Sequence, residues 1–266
     1  MVEILVILDG ASEARDASVC SLDLAETPAL DRLADRGERE WVNLLPAGVP
    51  VGSETAIAAL LGWTPGGAVD RGRVEAAARG VAVGDGERAW RVDVARRPDR
   101  HTLLLIGDEP LPRIEADVPV EVWPPGEVPP RILNAGTVVI GAPGAATGLG
   151  RLMGAAVVTP PGATGRPGSD LVGKRAAALA ALRGGAERVV VHVGGPDEAS
   201  HDRDRAAKIR CIEAADRELI GPLADAVAAA GGLIGVCPDH GCDPESGAHV
   251  PGPVPLVTWS GAMVAA

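Results

Sequence analysis

Val2-Glu3-Ile4-Leu5-Val6-Ile7-Leu8-Asp9-Gly10 decides the fold. An apolar, β-branched run that ends on a carboxylate and a glycine has the form of a buried parallel strand delivering a polar residue at its carboxyl end. The same form recurs at 189–193, ahead of Pro196-Asp197, and at Leu233–Cys237, ahead of Pro238-Asp239-His240. Between these strands, Thr27-Pro28 caps a helix that runs through Arg36 and stops at Gly37, residues 171–182 and 203–230 carry helical periodicity, and 254–259 reads as a final strand. The pattern predicts an α/β protein with a mostly parallel sheet flanked by helices. In such a sheet the loops at the carboxyl ends of the strands form the ligand crevice, so Asp9, Asp197 and Asp239 are expected to meet at one edge.

From about residue 80 to 162 the chain is richer in Pro and Gly, with short strand candidates at 102–106 and 137–141. This composition predicts a small inserted α+β cap over residues 81–162, between the two parts of a discontinuous core, 1–80 and 163–266.

Composition bounds the function. With 266 residues and 46% apolar content the chain can bury a sizeable core. Its net charge of -11 argues against nucleic acid or an anionic membrane surface as partner, and the absence of Phe and Tyr removes base-stacking platforms. An acidic protein that handles a phosphorylated substrate needs bound cations to offset its own repulsion. No apolar run approaches a membrane-spanning length, and Met1 leads directly into the first strand without a basic leader, so the expectation is a soluble cytoplasmic protein. The four cysteines (Cys20, Cys211, Cys237, Cys242) lack ribbon or disulfide spacing and are expected as reduced thiols.

Five clusters carry metal-type donors: Asp9, Ser53, Asp197 with His201, Asp239 with His240, and His249, which together use three of the five histidines. Asp197 and His201, four apart, share a helical face as ligands of one ion would, although surface pairs at this spacing are common. Asp239-His240-Gly241 puts adjacent oxygen and imidazole donors on a tight loop. His249 stands in a loop fixed by Gly247, Pro251 and Gly252. Ser53 follows Gly52 ahead of the apolar segment 56–61, where its simplest role is a helix N-cap; the same placement offers a nucleophile amide donors and a positive helix end that favour phosphate.

The order of these elements resembles the alkaline phosphatase superfamily, and more closely the archaeal-type cofactor-independent phosphoglycerate mutases. The resemblance rests on Leu8-Asp9-Gly10, Glu26-Thr27-Pro28-Ala29-Leu30, Gly52-Ser53-Glu54-Thr55-Ala56, Arg71-Gly72-Arg73-Val74-Glu75, Pro161-Gly162-Ala163-Thr164-Gly165, Pro196-Asp197-Glu198-Ala199-Ser200-His201, Pro238-Asp239-His240-Gly241 and His249 before Pro253-Val254-Pro255. It implies an alkaline phosphatase-like fold, with Asp9, Ser53, Asp239 and His240 around one divalent ion and Asp197, His201 and His249 around a second. Ser53 would be the nucleophile that becomes phosphoserine. Manganese is the expected ion, with magnesium, cobalt and zinc as alternatives, because mixed Asp/His ligation discriminates little. Lys174 aligns with a family lysine near the site, where it would neutralise phosphate charge. Arg91 and Arg100 fall where the family's substrate-domain arginines begin, as a fork for carboxylate or phosphate.

Two departures stand out. The family usually has Asp after the serine, where this chain has Glu54, and its substrate domain is considerably larger than residues 81–162 allow. A mutase must keep its dephosphorylated intermediate enclosed until the phosphoryl group returns, and a reduced cap weakens that enclosure. The expectation is a two-metal phosphoryl-transfer enzyme of mutase type acting on a small phosphorylated or phosphonate-bearing hydroxy acid. A phosphatase is the alternative, and a non-catalytic metal- or phosphate-binding relative a further one.

Overall fold

The computed structural model describes residues 2–95, 100–108 and 119–261; the side chains of residues 95, 100 and 101 also lie outside the described set. The described strands are β1 (Glu3–Leu8), β2 (Glu38–Val42), β3 (Arg88–Ala95), β4 (Arg100–Gly107), β5 (Val120–Trp123), β6 (Thr137–Ile140), β7 (Ala156–Val158), β8 (Arg188–Val193), β9 (Leu233–Cys237), β10 (Gly241–Asp243), β11 (Ala248–Val250) and β12 (Val254–Ser260). The helices are α1 (Ser21–Leu24), α2 (Pro28–Arg36), α3 (Ser53–Leu60), α4 (Arg71–Ala78), α5 (Ala145–Met153), α6 (Leu171–Arg183), α7 (Gly195–His201), α8 (Arg205–Ala215) and α9 (Gly221–Ala230). The expected helical stretch 203–230 is therefore two helices, joined by a π-helical turn at Asp216–Ile220.

One seven-stranded sheet, in the order β2-β12-β9-β1-β8-β6-β7, carries the expected α/β fold. β9, β1, β8, β6 and β7 run parallel, and β12 runs antiparallel to β9 and β2. β1 sits between β8 and β9, with Ile7 opposite both His192 and Cys237. Parallel neighbours end at the same edge, which is why the loops bearing Asp9, Asp197 and Asp239 adjoin.

Alternation along each strand sorts side chains between two cores. Ile4, Val6, Leu8, Val189, Val191, Ile234 and Val236 face α2, α6, α8 and α9, while Leu5, Ile7, Val139, Val190 and Cys237 face α3, α4 and α5. Both sheet faces are covered, so the central strands read as continuous apolar runs rather than alternating ones.

The boundary expected at 162/163 does not coincide with the sheet. β6 and β7 lie within 81–162 yet are strands of the central sheet, with α5 packed into its core. A separate three-stranded antiparallel sheet, β4-β3-β5, stands apart from it. Because β6 has four residues and β7 three, turn residues dominate the local composition and conceal membership of the large sheet.

Helix α2 begins after Thr27 as expected, but the Thr27 side chain makes no cap hydrogen bond. The buried Asp216 carboxylate does so instead, accepting from Ala29 N at 3.0 Å and Leu30 N at 2.7 Å. Asp216→Ala leaves those amides without a partner in an apolar layer and should cost about 1–2 kcal/mol, read as a lower midpoint in urea unfolding.

Candidate metal centre

Asp9 follows β1 and turns into Gly10, whose φ is +59°. A Cβ there would stand 2.6 Å from Asp197 Oδ1, so only glycine lets the Asp9 and Asp197 loops approach. Gly10 N also donates to Asp239 Oδ1 at 3.1 Å, and that oxygen accepts from His240 N at 2.9 Å. One backbone position thus ties together the loops after β1, β8 and β9. Asp197 and His201 lie on α7, and His249 on β11.

Ser53 is the first residue of α3, after an extended Gly52 at the N-cap. It is therefore not the cap that its sequence position suggests. Its Oγ lies 3.4 Å from Asp9 Oδ1 and 3.3 Å from His240 Nε2. His201 Nε2 is 3.1 Å from Asp197 Oδ2 and 3.2 Å from His249 Nε2, with His249 Nε2 3.6 Å from Asp197 Oδ1. Asp9, Ser53 and His240 thus gather in one set, joined by Asp239 Oδ2 at 3.5 Å from His240 Nε2, and Asp197, His201 and His249 in an adjoining one, with Asp197 in reach of both.

The donor chemistry suits divalent ions. His201, His240 and His249 each turn Nδ1 toward a backbone carbonyl, of Gly247 at 2.8 Å, Gly241 at 3.1 Å and Val51 at 3.4 Å. A carbonyl accepts only from N–H, so in each neutral imidazole Nε2 carries the lone pair, the tautomer a metal ligand needs, while His201 in its protonated form donates from Nε2 to Asp197. Asp197 Oδ1 and Asp239 Oδ2 are buried without a hydrogen-bond partner among the described residues. Burial first, and then the charges of Asp239 and Asp197, push the Asp9 carboxyl well above the usual range, a repulsion that cations relieve. Burial acts in the same sense on Asp197, but the His201 hydrogen bond and the neighbouring imidazoles hold it below the usual carboxylate range.

Sequence reading passed over His192. It sits near the end of β8 with Nε2 3.1 Å from Asp9 Oδ2, and burial pushes it down to about 4, so at neutral pH it is an uncharged donor orienting Asp9. The signal was a lone imidazole inside an apolar strand. Lys174, expected beside the phosphate, is fully buried; its Nζ donates to the His192 carbonyl at 2.8 Å, and it does not line the cleft. Burial lowers its ammonium to about 8.

Above the centre opens a cleft of about 820 Å³ whose wall includes Arg71, Arg91, Trp123 and Arg166. Glu54, buried, pairs with Arg71 at 2.7 Å and Arg91 at 3.4 Å. Arg91 Nε also reaches Asp93 at 3.1 Å, and the Arg71 guanidinium stacks 3.7 Å over the Trp123 ring. Arg91 is thus brought to the site, whereas the side chain of Arg100 lies outside the described residues.

The pattern of the Metalloenzyme superfamily matches residues 1–265. The chain belongs to that superfamily. A 2,3-bisphosphoglycerate-independent phosphoglycerate mutase of Methanopyrus kandleri is 27% identical over 348 residues, covering 90% of this chain and 82% of the relative. Some mutases match over shorter stretches, down to 17% of the length of one from Aeropyrum pernix. A solved protein from Pyrococcus horikoshii superposes with a TM-score of 0.82 at 25% identity, over 97% of this chain and 85% of that one. The cofactor-independent phosphoglycerate mutase of Thermoplasma acidophilum shares the fold at a TM-score of 0.58 and 16% identity, over 97% and 90% of the two chains. These relatives bear out the resemblance to the mutases, and the superfamily to which the chain belongs is one of metal-dependent enzymes. Among the described residues no helix is long and apolar enough to cross a membrane.

Proposed function

We propose that this chain is a two-metal phosphoryl-transfer enzyme of mutase type that works through a phosphoserine on Ser53 and acts on a small phosphorylated or phosphonate-bearing hydroxy acid. What carries the reading is Ser53 Oγ, held between Asp9 and His240 at the first turn of α3, beside two converging donor sets and beneath arginines that line the cleft. Bound divalent ions would supply Lewis acidity, favouring a serine alkoxide and offsetting charge on the phosphoryl oxygens. Asp9 and His240 orient the hydroxyl for attack on phosphorus; as the new P–O bond forms, the bond to the substrate oxygen breaks and the proton of the serine hydroxyl passes, directly or through water, to that departing oxygen. The N-terminal amides of α3 face the same charge. Arg71 and Arg91, preset by Glu54, offer the remaining N–H groups to a substrate anion, and Trp123 covers the charged end from water.

The small cap favours a second reading, hydrolysis of the phosphoserine by water. Incubating the manganese-loaded protein with a panel of phosphoesters, following free phosphate and positional isomers together, separates the two. Arg91→Ala should raise KM by about 10–100-fold, the worth of a charge-assisted hydrogen bond, and shift the partition toward free phosphate. A wild type that yields only free phosphate is a phosphatase; unchanged KM and partition in the variant would remove Arg91 from substrate binding.

A further inference from the structure

Beneath the His201–His249 pair lies a group that the foregoing leaves unused, the Cys242 thiol. β10 and β11 pair antiparallel with Cys242 directly opposite His249, which puts both side chains on one face. The ligand-capable atoms of Asp197, His201, Cys242 and His249 all lie within 4.8 Å of one another. Cys242 is fully buried, and its backbone is pinned on both sides: its N–H donates to Ser12 O at 2.9 Å, and its carbonyl accepts from Lys208 Nζ at 2.6 Å. Lys208 is itself fully buried and fixed by Glu13 Oε1 at 3.1 Å. Asp197 Oδ1, 3.6 Å from His249 Nε2, is buried and without a hydrogen-bond partner among the described residues. Cys237 and Cys20 are engaged elsewhere, on the Pro238 carbonyl and the Glu13 carboxylate.

We propose that Cys242 is a fourth protein ligand, as thiolate, of the metal site formed by Asp197, His201 and His249, and that it biases this site toward zinc or cobalt over manganese. The proposal rests on reading that trio as a metal site. Two imidazoles, one carboxylate and one thiolate make a four-donor set of the kind zinc adopts, and thiolate is the soft ligand that hard ions accept poorly. When the metal–sulfur bond forms the S–H bond breaks and the proton leaves to the buffer; no redox change is involved. Asp197, His201 and His249 line the cleft and Cys242 does not, so the sulfur approaches from the buried side and leaves the cleft side open to an additional ligand from the substrate.

The test is a cobalt titration of the metal-stripped full chain, with bound cobalt counted by equilibrium dialysis and the absorption spectrum recorded at each step. A near-ultraviolet sulfur-to-cobalt charge-transfer band should grow with occupancy in wild type, persist in Cys237→Ser and vanish in Cys242→Ser. In that last variant zinc affinity should fall by more than the roughly 10–100-fold that follows loss of an outer partner of a ligand. Cobalt binding by wild type without the band, or a band that survives in folded Cys242→Ser, overturns the sulfur ligand and leaves the metal site standing. No cobalt binding at all overturns both. If Cys242→Ser fails to fold, the wild-type spectrum beside that of Cys242→Ala decides the matter in the same way.

Discussion

Replacing Ser53 by alanine should lower turnover on the order of a thousandfold or more while leaving both metal sites loaded, because the nucleophile disappears and only one weak oxygen donor goes with it. The hydroxyl is presented rather than tied up: Gly52, not Ser53, is the N-cap of α3, so the Ser53 side chain is left to face Asp9 and His240. Acid-quenched wild-type enzyme should carry a phosphoryl adduct on Ser53 by mass spectrometry, and the variant none. Full activity in Ser53→Ala would assign the attack to water and remove the phosphoserine from the mechanism.

Asp197→Asn should have an effect of similar size through the ions themselves. Asp197 belongs to both donor groups, and it stands close to each of the imidazoles of His201 and His249, so its charge is shared by the whole centre. Elemental analysis after manganese loading and desalting should find two ions per wild-type chain and at most one in the variant, with activity lost alongside. Binding to the folded state alone raises stability by mass action, so manganese should raise the wild-type Tm and leave the variant's nearly unmoved. Full stoichiometry together with full activity in Asp197→Asn would separate this residue from the metals.

The fold and the meeting of the candidate donors were legible because both rest on local patterns: an apolar strand announces itself over a handful of residues, and a carboxylate or imidazole at its end is visible in the chain. What was not legible depends on distant partners. Thr27 has the right identity for a cap, yet Asp216 does the work from 187 residues away. Ser53 looked like a cap because sequence does not report that the preceding glycine is extended. Lys174 carries a charge that a phosphate would welcome, but its helix packs it under β8, where the His192 carbonyl takes its ammonium. Residues 137–140 and 156–158 look like any short strands among turns, since nothing local says which sheet a strand will join. Cys242 failed every spacing rule because its companions come from α7 and β11 rather than from another cysteine.

The position of β1 between β8 and β9 also governs how the molecule comes into being. β1 finds its two neighbours only when residues 188–193 and 233–237 have been synthesised, so its pairing waits for chain far downstream of it. Closing such long loops before any pairing rewards them is slow, and a waiting parallel strand is prone to join the wrong partner. The donor sets inherit that schedule, since His249 follows the last of these strands. Neither donor set is complete before residues beyond β9 have been made, so metal cannot gather its ligands from the N-terminal half of the fold.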